Sequence, residues 1–246
     1  AMGNYLYVYK GVYATDEDVP VNPLTGERLR MGGNTSTQAY FKAGDPIWVD
    51  VNGDYIIDEK DKVIVGNSQP RMTGGISIKL RYKAFSINTN CSFTLRRDII
   101  NKALADRFRA YGTPVAGKVN LTGSGALTPI EAYNFWTEDN IYAQYPNPFD
   151  YTRSSIIQPF RYDQTLFMED GSYFKINGIS VAYTIPKKML DFFRISRCQL
   201  NFSMNNIYTF SKYSGINPEN VNNLGYDTSG GYPNGRTVTF GVSMDF

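Results

Sequence analysis

The 246-residue chain contains no histidine. That absence removes the commonest general base, the Ser-His-Asp and Cys-His arrangements, and every histidine-ligated zinc or haem site. Carboxylate chemistry survives it. Cysteine is nearly absent as well: Cys91 and Cys198 are the only two and have no CxxC spacing, which argues against a disulfide scaffold, a zinc site or a redox pair. Both read as small apolar residues, free and unbridged. Charge of one sign is not in excess, since 25 Lys and Arg face 23 Asp and Glu, mixed along the chain, for a net +2. No electrostatic footprint for nucleic acid is present. Long apolar runs are missing: nowhere do about 18 apolar residues follow one another, as a spanning helix needs. The opening "AMGNYLYVYK" lacks the charged-then-apolar order of a signal peptide. A chain of this kind is either soluble or spans a membrane with strands.

What is abundant is tyrosine (19), phenylalanine (15) and glycine (22), a β composition without long amphipathic helical patterns. In "RTVTFGVSMDF" at the end of the chain, Val238, Phe240, Val242 and Met244 alternate with Thr237, Thr239, Gly241, Ser243 and Asp245. A strand presents alternate residues to opposite faces, so this is one apolar and one polar face. The same period returns in "RCQLNFSMNNIYTF" (197–210), at 72–82, at 85–96 and in the second half of 172–185, and "YKAF" makes the 72–82 and 85–96 segments a hairpin. A sixth segment, "YLYVYKGV" near the start, is apolar on both faces, and its register is open. Connections alternate in length: long at about 13–71, short at 82–85, long at 97–171, short at 186–196, long at 211–235.

Two architectures produce such alternation. A soluble sandwich covers its apolar faces with a second sheet and exposes charged ones, whereas a transmembrane barrel turns the apolar face to lipid and the polar face to a wet lumen. Here the polar faces are mostly Ser, Thr, Asn and Gln, with Lys79, Arg81, Arg96 and Asp245 as exceptions, and no charge falls on a registered apolar face. Short turns on one side and long loops on the other are the outer-membrane arrangement. Tyr82, Tyr183, Tyr208 and Phe210 stand at strand ends, where an aromatic girdle would lie.

Several stretches then carry a resemblance: "YFKINGISVAYTIPKKM", "NNIYTFSKYSGINPE", "YPNGRTVTFG", the terminal Phe246, and upstream "DVNGDYIIDEKDKVIVGNSQPRMTGG". Together they resemble the C-terminal end of SusC/RagA-type TonB-dependent outer-membrane transporters, from about residue 40 onward. The resemblance implies an all-β, antiparallel barrel segment of about six strands from a barrel of roughly 22. Six strands cannot close, because transmembrane barrels start at about eight and an open edge in lipid leaves backbone groups unsatisfied. The plug and the remaining strands are therefore expected from elsewhere. The resemblance further implies multi-pass residence in the outer membrane, against lipid, and TonB-driven import of oligosaccharides or oligopeptides. It implies a SusD-like surface lipoprotein over the extracellular loops, a TonB complex acting through the plug, short turns in the periplasm, and no enzymatic role. Phe246 would belong to the terminal signal read by the barrel-assembly machinery. The rival reading is a soluble extracellular β-sandwich binding module with a calcium loop, and behind it a lipid-bound adhesin or surface-layer protein.

Two constellations stand out as sites. Asp50, Asn52, Asp54, Ile56 through its carbonyl, Asp58 and Asp61 occupy positions 1, 3, 5, 7, 9 and 12 of an EF-hand-like loop. Tyr55 replaces the usual glycine at position 6, and Asp61 the longer glutamate at position 12. Bound calcium and a metal-free turn, in which the Asp and Asn side chains bond their own backbone, are both open, and either role is structural. The second constellation is "EAYNFWTEDNIYAQYPNPFDY", in which Tyr133, Trp136, Tyr142 and Tyr145 are candidates for ligand or partner contact. Packing of the loop on itself is the alternative. "LTGSGAL" has neither the lysine nor the strand-to-helix context of a phosphate loop.

Overall fold

A computed structural model describes residues 3–33, 36–111, 114–115, 118–119, 132–153, 155–190, 195–227 and 235–245. Six short strands come first: β1 (Asn4–Tyr7), β2 (Tyr9–Val12), β3 (Arg30–Met31), β4 (Pro46–Trp48), β5 (Ile56–Ile57) and β6 (Lys62–Val65). Two long strands follow, β7 (Met72–Tyr82) and β8 (Phe85–Leu95), then β9 (Asp98–Ile100) and the helix α1 (Lys102–Tyr111). Beyond them come β10 (Pro114–Val115), β11 (Lys118–Val119) and β12 (Met168–Asp170). The chain ends with β13 (Tyr173–Thr184), the short helix α2 (Lys187–Leu190), β14 (Arg197–Ser211) and β15 (Thr237–Asp245). Contacts divide it into two units, one of 1–68, 99–169 and 220–230, the other of 69–98, 170–219 and 231–246.

The second unit is built on one antiparallel sheet in the order β7-β8-β13-β14-β15. These are the five strands expected from period-two alternation, and their register puts like with like across the sheet. Ile76 stands opposite Cys91, Leu80 opposite Ile87, Val181 opposite both Ile87 and Phe202, and Phe202 opposite Phe240. On the other face Ser77 meets Asn90, and the Ser77 hydroxyl donates to Asn90 Oδ1 at 2.8 Å. The β7–β8 hairpin turns through Lys83 and Ala84 alone, with Lys83 at φ +52°. An extra residue, Asn177, bulges β13 between Ile176 and Gly178. The apolar face is not covered: Leu80 is 60% exposed and Phe240 79%. A sandwich would have laid a second sheet there. Both cysteines are free; Cys198 lies on the apolar face opposite Met244 and is buried at the end of β14 against which α2 packs.

The sixth expected strand is not in this sheet. Residues 4–12 form β1 and β2 in the first unit, where β1 pairs with β6 and β2 with β4. The reason is their apolarity on both faces: adjacent residues of β1 serve two different cores. Tyr7 joins Tyr13, Val19, Leu29, Met31, Phe41, Trp48, Ile57 and Ile157 on one side. Leu6 joins Ile100, Leu104, Ala105, Phe108, Phe135, Phe160 and Phe167 on the other. A strand with one face in lipid and one in water has no use for that pattern, whereas a partition between two cores requires it.

The segments 13–71 and 97–171, expected as long connections, are among the described residues largely folded into a unit with cores of its own. Helix α1 lay inside one of them unnoticed. Its side chains at 104, 105 and 108 fall on one face and are buried, Asn101 Oδ1 accepts the Leu104 N–H at 3.0 Å as its N-cap, and Lys102 pairs with Asp106 one turn on. Phe108 is the hub, with the rings of Tyr133, Phe135, Tyr145, Phe160 and Phe167 centred 4.8–6.0 Å away. Trp48 and Trp136, the chain's two tryptophans, are in this unit, so their fluorescence reports on it. Truncation of Phe108→Ala is expected to cost about 3–5 kcal/mol of its stability, seen as an earlier urea midpoint of tryptophan emission. An unchanged midpoint would remove Phe108 from its central place.

Candidate functional site

The acidic loop between β4 and β6 is organised by its own backbone. Asp50 accepts the N–H groups of Gly53 at 2.7 Å and Tyr55 at 2.8 Å. Asn52 accepts from Asp54 N–H at 3.0 Å and donates its amide to the Asp54 carboxylate at 2.9 Å, while Asp54 also accepts the Ile56 N–H. Asp58 caps the 3₁₀ turn Glu59–Asp61 by accepting from Lys60 N–H. Asp61, fully buried, accepts the N–H of Val51 with one oxygen and that of Asp58 with the other, which ties the two ends of the loop together. Tyr55 sits at φ +62°, the left-handed conformation a glycine takes at no cost. Ile56 and Ile57 pair in parallel with Arg30 and Met31, and Ile57 is buried in the core around Trp48. Among the described residues no three acidic groups converge on a point that could hold a cation. The donor set is therefore turned toward N–H groups, as in a series of Asx turns.

A charged clamp ties this loop to the rest of its unit. The Lys62 ammonium bonds Glu59 of the loop at 2.7 Å and Asp163 at 2.8 Å, and Arg161 grips Asp163 through two bonds of 2.5 and 2.7 Å. The Tyr7 ring lies beneath both cations, its centroid 4.6 Å from the Arg161 guanidinium and 5.0 Å from the Lys62 ammonium. Burial by itself would raise the Asp163 pKa, but the hydrogen bonds from Arg161 and Lys62 together outweigh it and hold the carboxyl below its ordinary value. Nearby, the buried Gln164 accepts from the Trp48 indole N–H at 2.8 Å and donates to the carbonyls of Pro159 and Arg161. Arg153 and Asp45 form a buried pair, in which the guanidinium also donates to the carbonyls of Gln38 and Tyr40 and the carboxylate accepts from Lys42 N–H. Sequence reasoning missed the clamp, the Gln164 bonds and the Arg153–Asp45 pair, because each joins residues from distant parts of the chain: Tyr7 with Arg161, Trp48 with Gln164 and Asp45 with Arg153.

The aromatic candidates separate. Tyr133 and Tyr145, partly buried, pack edge-on against Phe108 at the margin of the core, and Trp136 is buried with its indole N–H donating to Ala14 O at 3.2 Å. Main-chain bonds from Tyr145 N–H to Asn134 O and from Trp136 N–H to Tyr145 O fold the segment back on itself around the 137–140 turn. Tyr142, just past that turn, is 84% exposed and turns its ring to solvent. Phe246 and residues 121–127 lie outside the described residues.

On the sheet, the polar face of β7, β8, β13 and β14 encloses a shallow cavity of about 400 Å³, lined by Lys79, Arg81, Ser86, Asn88, Ser180 and Asn201 among others. Its chemistry is that of amides, hydroxyls and two cations, with neither a nucleophile-base pair nor a carboxylate pair.

No family model matches the chain. Among curated proteins it is 28% identical to TonB-dependent receptor P3 of Formosa agariphila, over 98% of this chain and 22% of that protein. It is 25% identical to TonB-dependent receptor P39 of the same organism, over 100% and 25%. With TonB-dependent receptor SusC of Bacteroides thetaiotaomicron the identity is 23%, over 90% and 21%. The solved RagAB peptide transporter superposes on 99% of this chain and 22% of its own, with a TM-score of 0.65 at 18% identity. The chain is homologous to SusC/RagA-type TonB-dependent receptors over nearly its whole length.

It spans about a fifth to a quarter of the length of the curated relatives it matches. TonB-dependent receptors are outer-membrane β-barrel proteins and not enzymes. The five-stranded sheet matches part of the receptor barrel. The clamp carries a pH signature. A depressed Asp163 pKa means that its stabilisation is fully present above the ordinary carboxyl value and is lost as pH falls through the folded-state value. Thermal unfolding followed by tryptophan emission should therefore decline below about pH 4, and Asp163→Asn should lose that part of the decline while melting earlier at neutral pH. Identical acid profiles for the two proteins would contradict the clamp.

Proposed function

We propose that the chain forms the C-terminal wall and the extracellular part of a TonB-dependent importer. The observation that carries this is the uncovered apolar face of the sheet, since soluble monomers rarely expose a contiguous apolar surface of more than a few hundred Å². In this reading β7, β8, β13, β14 and β15 are consecutive staves of a barrel of roughly 22 strands, with Ile78, Leu80 and Phe240 against lipid and Ser77, Asn88 and Asn201 toward the lumen. The turns at 82–85 and 186–196 face the periplasm, and 13–71, 97–171 and 211–235 lie outside the cell. The cargo is an oligosaccharide or an oligopeptide. The solved RagAB neighbours are named as a peptide importer, and the amides and hydroxyls of the polar face can hydrogen-bond either polymer. A SusD-like surface lipoprotein covers the extracellular unit, with the exposed Tyr142 as a contact, and TonB acts through a plug supplied by the remainder of the transporter.

The acidic loop is a brace in this scheme, holding the rim of the extracellular unit to its core through Ile57 and Glu59. Calorimetric titration with calcium separates the two ways of making it. Heat that vanishes with Asp50→Ala together with Asp54→Ala assigns an ion to the loop, and no heat leaves the carboxylate-to-N–H bonds as the whole brace.

The membrane reading is tested by placing one charge on each face of β7 in the full-length gene product. Ile78→Arg puts it in hydrocarbon, at a cost of about 2–4 kcal/mol near the midplane, and should reduce the heat-modifiable, folded species in outer-membrane fractions. Ser77→Lys points to the face that already carries Lys79 and Arg81 and should leave assembly intact. Equal loss from both, or none from Ile78→Arg, would sink the assignment of faces.

A further inference from the structure

The polar face of the sheet falls into two halves by how its groups are satisfied. Toward the long connections its side chains bond one another: Ser77 donates to Asn90 Oδ1 at 2.8 Å, Ser92 to Asn177 Oδ1 at 3.2 Å, and the Lys175 ammonium pairs with Glu219. Toward the short turns, in the cavity lined by Lys79, Arg81, Ser86, Asn88, Ser180 and Asn201, groups of the same kinds go unanswered. Among the described residues neither Lys79 nor Arg81 has a carboxylate within ion-pair distance. Asn88 Oδ1, shielded from solvent and across from Lys79 in register, accepts no hydrogen bond. A buried acceptor without a donor is costly, and neighbouring cations without a counter-charge repel. One occupant that carries both carboxylates and N–H groups relieves the two together.

Spacing says what that occupant is. Lys79 and Arg81 stand two residues apart on an unbulged strand, so their side chains leave one face about 7 Å from each other. An extended peptide repeats its own side chains at the same interval, so carboxylates at its positions i and i+2 meet both cations at once. Its main-chain N–H groups are then left for Asn88, whose Oδ1 no bond holds in place and which can turn toward a donor. The one aromatic residue at the cavity, Phe202, directs its ring to the opposite, apolar face, where it meets Phe240 at 5.0 Å. A sugar ring therefore finds no platform here. The hydroxyls and amides of Ser86, Ser180 and Asn201 suit peptide groups instead.

We propose that this half of the polar face binds an acidic peptide in extended form, with side-chain carboxylates two residues apart on Lys79 and Arg81 and a main-chain N–H on Asn88. The site rests on the import reading above, in which this face lines the lumen, and narrows its cargo to acidic oligopeptides.

The test uses the full-length gene product in non-ionic detergent, titrated calorimetrically with an end-blocked peptide carrying glutamates at alternate positions, with its glutamine counterpart, and with trigalacturonate. The glutamate peptide should bind about tenfold or more tighter than the glutamine one, an advantage that shrinks with added salt. Lys79→Gln together with Arg81→Gln should erase that advantage. Lys79→Arg together with Arg81→Lys should keep it, and Lys188→Gln, at an exposed position beyond β13, should leave it unchanged. Where the neutral double variant lacks the folded, heat-modifiable form, Lys79→Gln alone carries the comparison, with part of the advantage lost. Equal affinity for the two peptides, an advantage kept by a folded neutral variant, or trigalacturonate binding as tightly as the glutamate peptide would overturn the site. So would carbodiimide coupling of Lys79 to a carboxylate of the transporter itself in the absence of peptide, since the cations are then neutralised from within. A protein that stays monomeric without detergent defeats the membrane reading itself, whereas a detergent-requiring barrel that binds both peptides alike defeats only this proposal.

Discussion

Five paired strands with one face of Ile, Leu, Val and Phe and another of Ser, Thr and Asn impose a single requirement on everything around them: the apolar face needs a medium other than water. Among the described residues of its unit nothing is laid on that face, and its side chains stand well exposed. A helix from the same unit could have covered it, as in many α+β folds, but α2 spans only Lys187–Leu190. Lipid is the medium that satisfies the sheet without further protein. The homology to outer-membrane receptors and the distribution of short and long connections then follow the same axis.

The first unit answers a different problem. Chain that connects strands over a long distance loses much conformational entropy when it is ordered, and only burial can offset that loss. Here the segments on either side of the β7–β8 hairpin pool their aromatics into two clusters, divided by β1, whose neighbouring residues Leu6 and Tyr7 face opposite ways. Polar groups taken inside are all engaged along the seams that matter: Arg153 with Asp45 and two carbonyls, Gln164 with the Trp48 indole, Asp163 with two cations. The acidic loop extends the same economy, since its carboxylates accept backbone N–H groups of their own segment.

The parts of this architecture legible in the sequence are those whose signal is local. Alternation named β7, β8, β14, β15 and the second half of β13, and with them the faces of those residues, because side-chain direction in an unbulged strand follows from position; the bulge at Asn177 was not visible. The spacing of Asp50, Asn52, Asp54, Asp58 and Asp61 likewise disclosed a turn rich in oxygen donors. Helix α1 escaped notice because its buried stripe is three residues in ten, too brief for a period to emerge. The aromatic segment was visible as composition, yet nothing in it separates the buried Trp136 and the partly buried Tyr133 and Tyr145 from the exposed Tyr142.

Taken alone, the sequence determined the class of the sheet, the hairpin, the absence of histidine chemistry and the family resemblance, since each depends on residue type and short-range period. Tertiary structure decided where residues 4–12 belong, which aromatics remain available to a partner, and which way the oxygens of the acidic loop point. Those outcomes depend on groups brought together from distant parts of the chain, as Asp45 meets Arg153 and Trp48 meets Gln164. A doubly apolar strand is compatible with a wall or a partition until its neighbours arrive, and only the two cores on either side of Leu6 and Tyr7 made it a partition.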